Sequence, residues 1–268
     1  MRIPALLFSL LFSFSLLAQR TNDLIVPLSG APSILIPAAG DVTGANGTHF
    51  RSDISVINLR NAAQRVQISW LPQGATGIGI APFTMDLPAQ SGFSSENFAF
   101  NVLQRTGLGS IVIMGVRSDN SFDPEALLHA TARIWTPRPD GGAGTMSQTF
   151  PAIALSSNEN VRVKAIFGTR RTAQYRLNVG ISNPIAQARK FRVTVIVSGT
   201  GPTQAQFDMD VPAQSMDQRN VDIGGEGLAQ FLIEDITATN PVGPWHAWAS
   251  SIDNDSGDAW SQMAVPGV

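Results

Sequence analysis

Apolar and polar side chains alternate along most of this chain with a period of two. In Arg65-Val66-Gln67-Ile68-Ser69-Trp70-Leu71, the side chains of Val66, Ile68 and Trp70 point one way and the polar ones the other. That is the signature of a half-buried strand. Phe191, Val193, Val195 and Val197 share one face of a second such run. Residues 53–59, 110–116, 127–135 and 146–150 predict further strands, as do 175–182, 230–236, 245–252 and 259–264. Turn formers punctuate them: Asn46-Gly47, Pro72-Gln73-Gly74, Asp140-Gly141-Gly142, Gly199-Thr200-Gly201-Pro202 and Asp255-Ser256-Gly257. Only residues 97–105, ahead of Gly107, predict a helix, and it is short.

The pattern occurs twice. Phe83-Thr84-Met85-Asp86-Leu87-Pro88-Ala89-Gln90-Ser91 returns as Phe207-Asp208-Met209-Asp210-Val211-Pro212-Ala213-Gln214-Ser215, identical at seven of nine positions. Phe50-Arg51 answers Tyr175-Arg176, Asn58 answers Asn183, Gly107-Leu108 answers Gly227-Leu228, and His129-Ala130 answers His246-Ala247. So long a period belongs to a duplicated domain, not to a short solenoid repeat. The expected fold is all-β: two tandem antiparallel β-sandwich domains of about seven strands each. The first spans residues 24–155 and the second residues 158–268, with the polar Ser156-Ser157-Asn158-Glu159-Asn160 between them. Each copy, at about 115 residues, is long enough to bury a core of its own.

Composition narrows the class. Charged residues make up 14% of the chain and the net charge is −2, which gives no basic footprint for nucleic acid. Cysteine is absent, so there is no disulfide framework, thiolate nucleophile or cysteine metal site. Residues 1–18 carry Arg2, an apolar run and Ala18 before a polar stretch, which predicts a secretory signal peptide too short to be a membrane span. The expected location is secreted or periplasmic, in a bacterium.

The order of Ile36-Pro37, the Gly-rich turn at 44–47, Phe50-Arg51-Ser52-Asp53, Asn58 and Leu87-Pro88-Ala89-Gln90 resembles a group of duplicated secreted bacterial proteins of unknown function. Each repeat is also similar in plan to the single-domain β-sandwich of the sensory rhodopsin transducer family. The resemblance implies a sandwich that associates through its sheet faces, and it brings no catalytic residue.

Candidate chemistry is sparse. His129 and His246 are equivalent, but a lone His per repeat without a second ligand at metal spacing makes a poor metal site. Asp253-Asn254-Asp255-Ser256-Gly257-Asp258 is rich in oxygen, yet Gly257 falls where a calcium loop needs a ligand and no bidentate Glu follows, so a hairpin turn is expected. Gly92-Phe93-Ser94-Ser95-Glu96 fails the nucleophile-elbow pattern. Asp86 and Asp210 recur at equivalent strand positions and need not meet. No catalytic, cofactor or metal residue is nominated. The expectation is a non-enzymatic, envelope-associated or extracellular interaction or structural module with a protein or glycan surface partner and scope for homo-oligomers. The alternative is a carbohydrate-binding protein using Trp135, Trp245 and Trp248 as stacking platforms.

Overall fold

Strong alternation without helical periodicity yields sheets. The computed structural model describes residues 30–44, 48–138, 141–199, 203–239 and 241–267. The predicted signal segment 1–18 and the Asn46-Gly47 and Gly201-Pro202 turn residues lie outside these.

The N-terminal half contains β1 (Ser33–Thr43), β2 (His49–Asn58), β3 (Gln64–Pro72), β4 (Phe83–Leu87), β5 (Gly92–Ser95), α1 (Phe98–Asn101), β6 (Gly107–Val116), β7 (Leu128–Pro137), β8 (Thr145–Pro151) and β9 (Ile153–Ala154). The C-terminal half contains β10 (Val163–Arg171), β11 (Tyr175–Asn183), β12 (Arg189–Gly199), β13 (Thr203–Val211), β14 (Ser215–Val221), β15 (Gly227–Asp235), β16 (His246–Asp253), β17 (Ala259–Met263) and β18 (Val265–Pro266). Among the described residues each half holds nine strands where about seven were expected; β9 and β18 are two residues each, and the alternation located neither β1, whose residues 34–40 are buried without a break, nor β10. The expected helix shrinks to four residues, entered through Asn97 in the left-handed region at φ 44°.

Both halves pair their strands in one order. The C-terminal half forms two antiparallel sheets, β13-β12-β15-β10-β18 and β14-β11-β16-β17. The N-terminal half repeats these as β4-β3-β6-β1-β9 and β5-β2-β7-β8, joined into a single nine-stranded sheet where β1 pairs with β2 over Asp41–Thr43. Even the irregularities coincide: β1 shifts register between Ile36 and Ala39, and β10 between Ile166 and Thr169. The sequence repeat is thus matched strand for strand.

Inward-pointing residues fill the space between layers. Val66, Ile68, Ile111 and Ile113 meet Ile54, Val56, Ala130 and Phe150 in one core. Val193, Val195, Phe231 and Ile233 meet Leu177, Val179, Ala247 and Ala249 in the other. The first core also takes in Met216 and Trp248 from the C-terminal half. The outer face of the β14-β11-β16-β17 sheet packs on the outer face of β3-β6-β1. There Ser110 and Ser182 share a hydroxyl hydrogen bond of 2.6 Å, and Ser215 Oγ donates to the Pro72 carbonyl at 2.7 Å. Backbone bonds from Gly74 N to Met216 O and from Gly77 N to Ala213 O add to the seam. The inter-repeat segment is tied down as well, since Gly243 N donates to Glu159 O.

Candidate functional site

The repeated sequence motifs are structural devices. Asn58 and Asn183 are buried, and each amide nitrogen donates to carbonyls of two segments: Asn58 to Ala62 and Pro88, Asn183 to Gln187 and Pro212. Each Asn thereby ties the end of its own strand to the Pro-Ala-Gln-Ser turn. Gln90 and Gln214 both sit in the left-handed region at φ 50°, so this motif is a turn following β4 and β13. The recurring acids are on the surface. Asp86 is bonded to Arg65 at 2.9 Å, and this partner holds its carboxyl below the usual range.

The three nominated tryptophans separate. Trp245 and Trp248 are each 1% exposed, which corrects the expectation of stacking platforms at those positions. Trp245 packs tilted on Phe191 at 4.8 Å and its indole nitrogen donates to Val161 O. Trp248 meets Phe150 edge-on at 6.0 Å across the seam between halves. Trp135 alone is part-exposed. It lies on the free outer face of the β5-β2-β7-β8 sheet, with Arg51 5.6 Å and Arg133 5.9 Å from its ring centroid. A cavity of about 350 Å³ opens beside it, lined by Arg51, Glu96, Asn97, Phe100, Asn101 and Trp135. Trp135 Nε1 and Asn97 Oδ1, a donor and an acceptor, are both buried without a protein partner. Ring face, two cations and unsatisfied polar atoms make this the best-equipped small-molecule position among the described residues.

The two histidines do not converge. His129 is part-buried on β7. His246 is 5% exposed, and burial, with the Lys164 charge as a lesser cause, pushes its pKa down to about 3. It is a neutral scaffold residue at ordinary pH. The Asp253–Asp258 segment folds on itself: Asp253 Oδ1 accepts from the backbone of Asp255 at 2.8 Å and Ser256 at 3.0 Å. These bonds hold the carboxyl below its usual range, as expected of a hairpin turn. The same loop edges a cavity of about 200 Å³ between the halves, shared with Thr48, Phe50, Met146 and Arg176.

Sequence reading missed a buried ionic group at the start of the C-terminal half. Lys164, 5% exposed, pairs with Glu159 at 2.5 Å, donates to Trp245 O and sits 4.9 Å from that ring's centroid. Burial lowers its pKa, and Glu159 opposes the shift. Arg189 donates to Gly243 O at 2.8 Å and lies 3.5 Å from Asp235. The available signal was Lys164 itself, a charged residue at an inward strand position where the first repeat has Ile34. These groups close the end of the second core and tie in the inter-repeat segment.

No protein family matches the chain, and no curated protein is significantly similar to it.

Proposed function

We propose that the protein is a secreted, non-catalytic tandem β-sandwich, the product of an internal duplication, acting through its surfaces as an envelope-associated or extracellular interaction or structural module. The observation that carries this reading is a group of exposed apolar side chains, Ile196, Leu228, Leu232 and Phe167, set among Thr194, Ser198 and Gln230 on the outer face of β12-β15-β10. Exposed apolar side chains gathered on one sheet face suit an interaction surface. Of the residues that could have suggested chemistry, His246 is buried at a core end and Asp253 is engaged in its hairpin turn. Assays of the purified protein for hydrolytic and metal-dependent turnover test the reading, and sustained turnover would overturn it. Cell fractionation tests the location, for which the apolar run within residues 1–18 is the support.

A second reading, glycan binding, now rests on Trp135 and its cavity alone. Sugar rings stack on indole faces, and the neighbouring Asn, Glu and Arg side chains suit hydroxyl groups. Glycan-dependent quenching of tryptophan fluorescence that disappears in Trp135→Phe is the expected signature. A negative result across a broad glycan panel removes this reading.

A further inference from the structure

We propose that the free outer face of the β5-β2-β7-β8 sheet binds an acidic oligosaccharide, a chain of uronate sugars whose carboxylates sit on Arg51 and Arg133 while one sugar ring packs on Phe100 and Trp135. This deepens the glycan-binding reading and rests on it.

The duplication supplies an internal comparison. Strand register sets Arg51 opposite Trp135 and Asp53 opposite Arg133 in the first repeat. The second repeat has Arg176 opposite Ile252 and Asn178 opposite Ser250 at the same places. There the face is used in the seam, where Ser250 accepts from Gln148, and Arg176 donates to Asn254 Oδ1 at 3.0 Å. The first repeat leaves the face open and sets on it a large ring and a second guanidinium. The wall beside the ring is also particular to the first repeat. Phe100 and Asn101 belong to α1, and the second repeat runs from β14 to β15 without a helix. Glu96 stands where the second repeat has Asn220, by the pairing of β5 and β14 with β2 and β11. Inherited scaffold therefore accounts for Arg51 and not for the residues gathered around it.

The chemistry of the group points to an acid on a sugar. Both guanidinium groups lie against the Trp135 indole, and among the described residues neither has an ion pair. Arg133 gives one N–H to Thr145 Oγ1, which leaves the rest of its fork free. Two unpaired like charges beside one ring repel, and an anion shared between them relieves that repulsion. The guanidinium fork matches a carboxylate through two parallel hydrogen bonds. Glu96, exposed at the edge of the same cavity, disfavours a bare polyanion but accepts from a hydroxyl. Trp135 Nε1 and Asn97 Oδ1, a donor and an acceptor without protein partners, suit groups that both donate and accept, as sugar hydroxyls do. Phe100, 46% exposed, adds a second aromatic surface for the C–H face of a sugar. A second cavity, of about 410 Å³, shares Glu96 with the first and continues along the face past Asp53, Ser55, Thr131 and Arg133. A lone sugar leaves that extension empty, whereas a chain places successive carboxylates near Arg51 and Arg133.

Trimers of galacturonate and of mannuronate, with their methyl esters as uncharged counterparts, are titrated into the purified chain. Binding is followed by tryptophan fluorescence and by calorimetry. At least one acid trimer is expected to bind, with its ester weaker by roughly tenfold or more and with an affinity that falls as salt is raised. Arg51→Gln and Arg133→Gln should each weaken binding roughly tenfold, with unchanged circular dichroism. Trp135→Phe should remove the fluorescence response. Equal binding of acid and ester overturns the proposal and leaves the glycan-binding reading standing, as does binding confined to neutral glycans. Silence across acidic and neutral glycans alike removes both. Polyglutamate that binds as tightly as the uronate trimer would show a site for anions without regard to sugar, and overturns the proposal too. So does uronate binding that neither arginine substitution weakens.

Discussion

Asn58 and Asn183 show why the repeat kept certain polar residues. A buried amide that donates to carbonyls of two separate segments cannot be replaced by an apolar group without orphaning those acceptors, and each orphan costs about 1–3 kcal/mol. Asn183→Ala is expected to lower unfolding free energy by about 2–3 kcal/mol, as is Asn58→Ala, measured by urea titration. An effect within experimental error would show that the turns hold without them. His246 makes a prediction with a defined pH window. Its pKa is about 3 in the fold against an ordinary value of 6.5, because burial excludes the charged form. Between those two pH values the unfolded chain binds a proton that the fold refuses. Stability therefore rises with pH across the window and is lost as pH falls through it. At about 1.4 kcal/mol per pH unit the loss amounts to several kcal/mol. His246→Gln should flatten the stability profile between pH 6.5 and 3 relative to the parent chain, and parallel profiles would contradict the assignment.

Most strands were legible from their residues, whereas the burial of a second face was not. In β3, Val66, Ile68 and Trp70 are all buried as alternation requires, and β12 behaves the same way. β16 breaks the rule, since every residue from His246 to Ser251 is buried. One face, with Ala247 and Ala249, lines its own core, and the other, with Trp248, is covered by the opposite half. No local pattern could announce that second burial, because the covering surface lies about a hundred residues away in the chain. For the same reason Trp248 was read as a surface platform. The turns, by contrast, were readable, because their chemistry is local: Asp253 and Gly257 serve in the hairpin much as their residue types suggest. Close packing of β11 against β16 depends on Gly180, where an added Cβ would run into the Trp248 ring. Gly180→Ala should destabilise by about 1–3 kcal/mol through overpacking. Thermal unfolding followed by tryptophan fluorescence would report it, and a neutral substitution would mean that the ring can move aside.

The seam makes the two halves one thermodynamic object although each has its own core. Trp248 belongs to the C-terminal half by sequence and to the N-terminal core by packing, where Phe150 meets it edge-on. Around it the contact is polar and specific, with Gln148 Nε2 donating to Ser250 Oγ at 2.6 Å and Ser261 Oγ donating to Thr149 O at 3.2 Å. Were the halves independent, a substitution in one would leave the melting of the other unchanged. Sharing an aromatic side chain across the seam predicts the opposite. Trp248→Ala removes a fully buried indole, with an expected loss of about 3–5 kcal/mol. That loss should fall on a single unfolding transition, since neither half can open without exposing the ring or the cavity that holds it. Calorimetry of the parent chain is therefore expected to give equal calorimetric and van't Hoff enthalpies, and Trp248→Ala should shift the whole peak downward. Two resolved transitions in the parent, with only the later half of the chain responding to the substitution, would separate the halves. The seam would then be a loose contact.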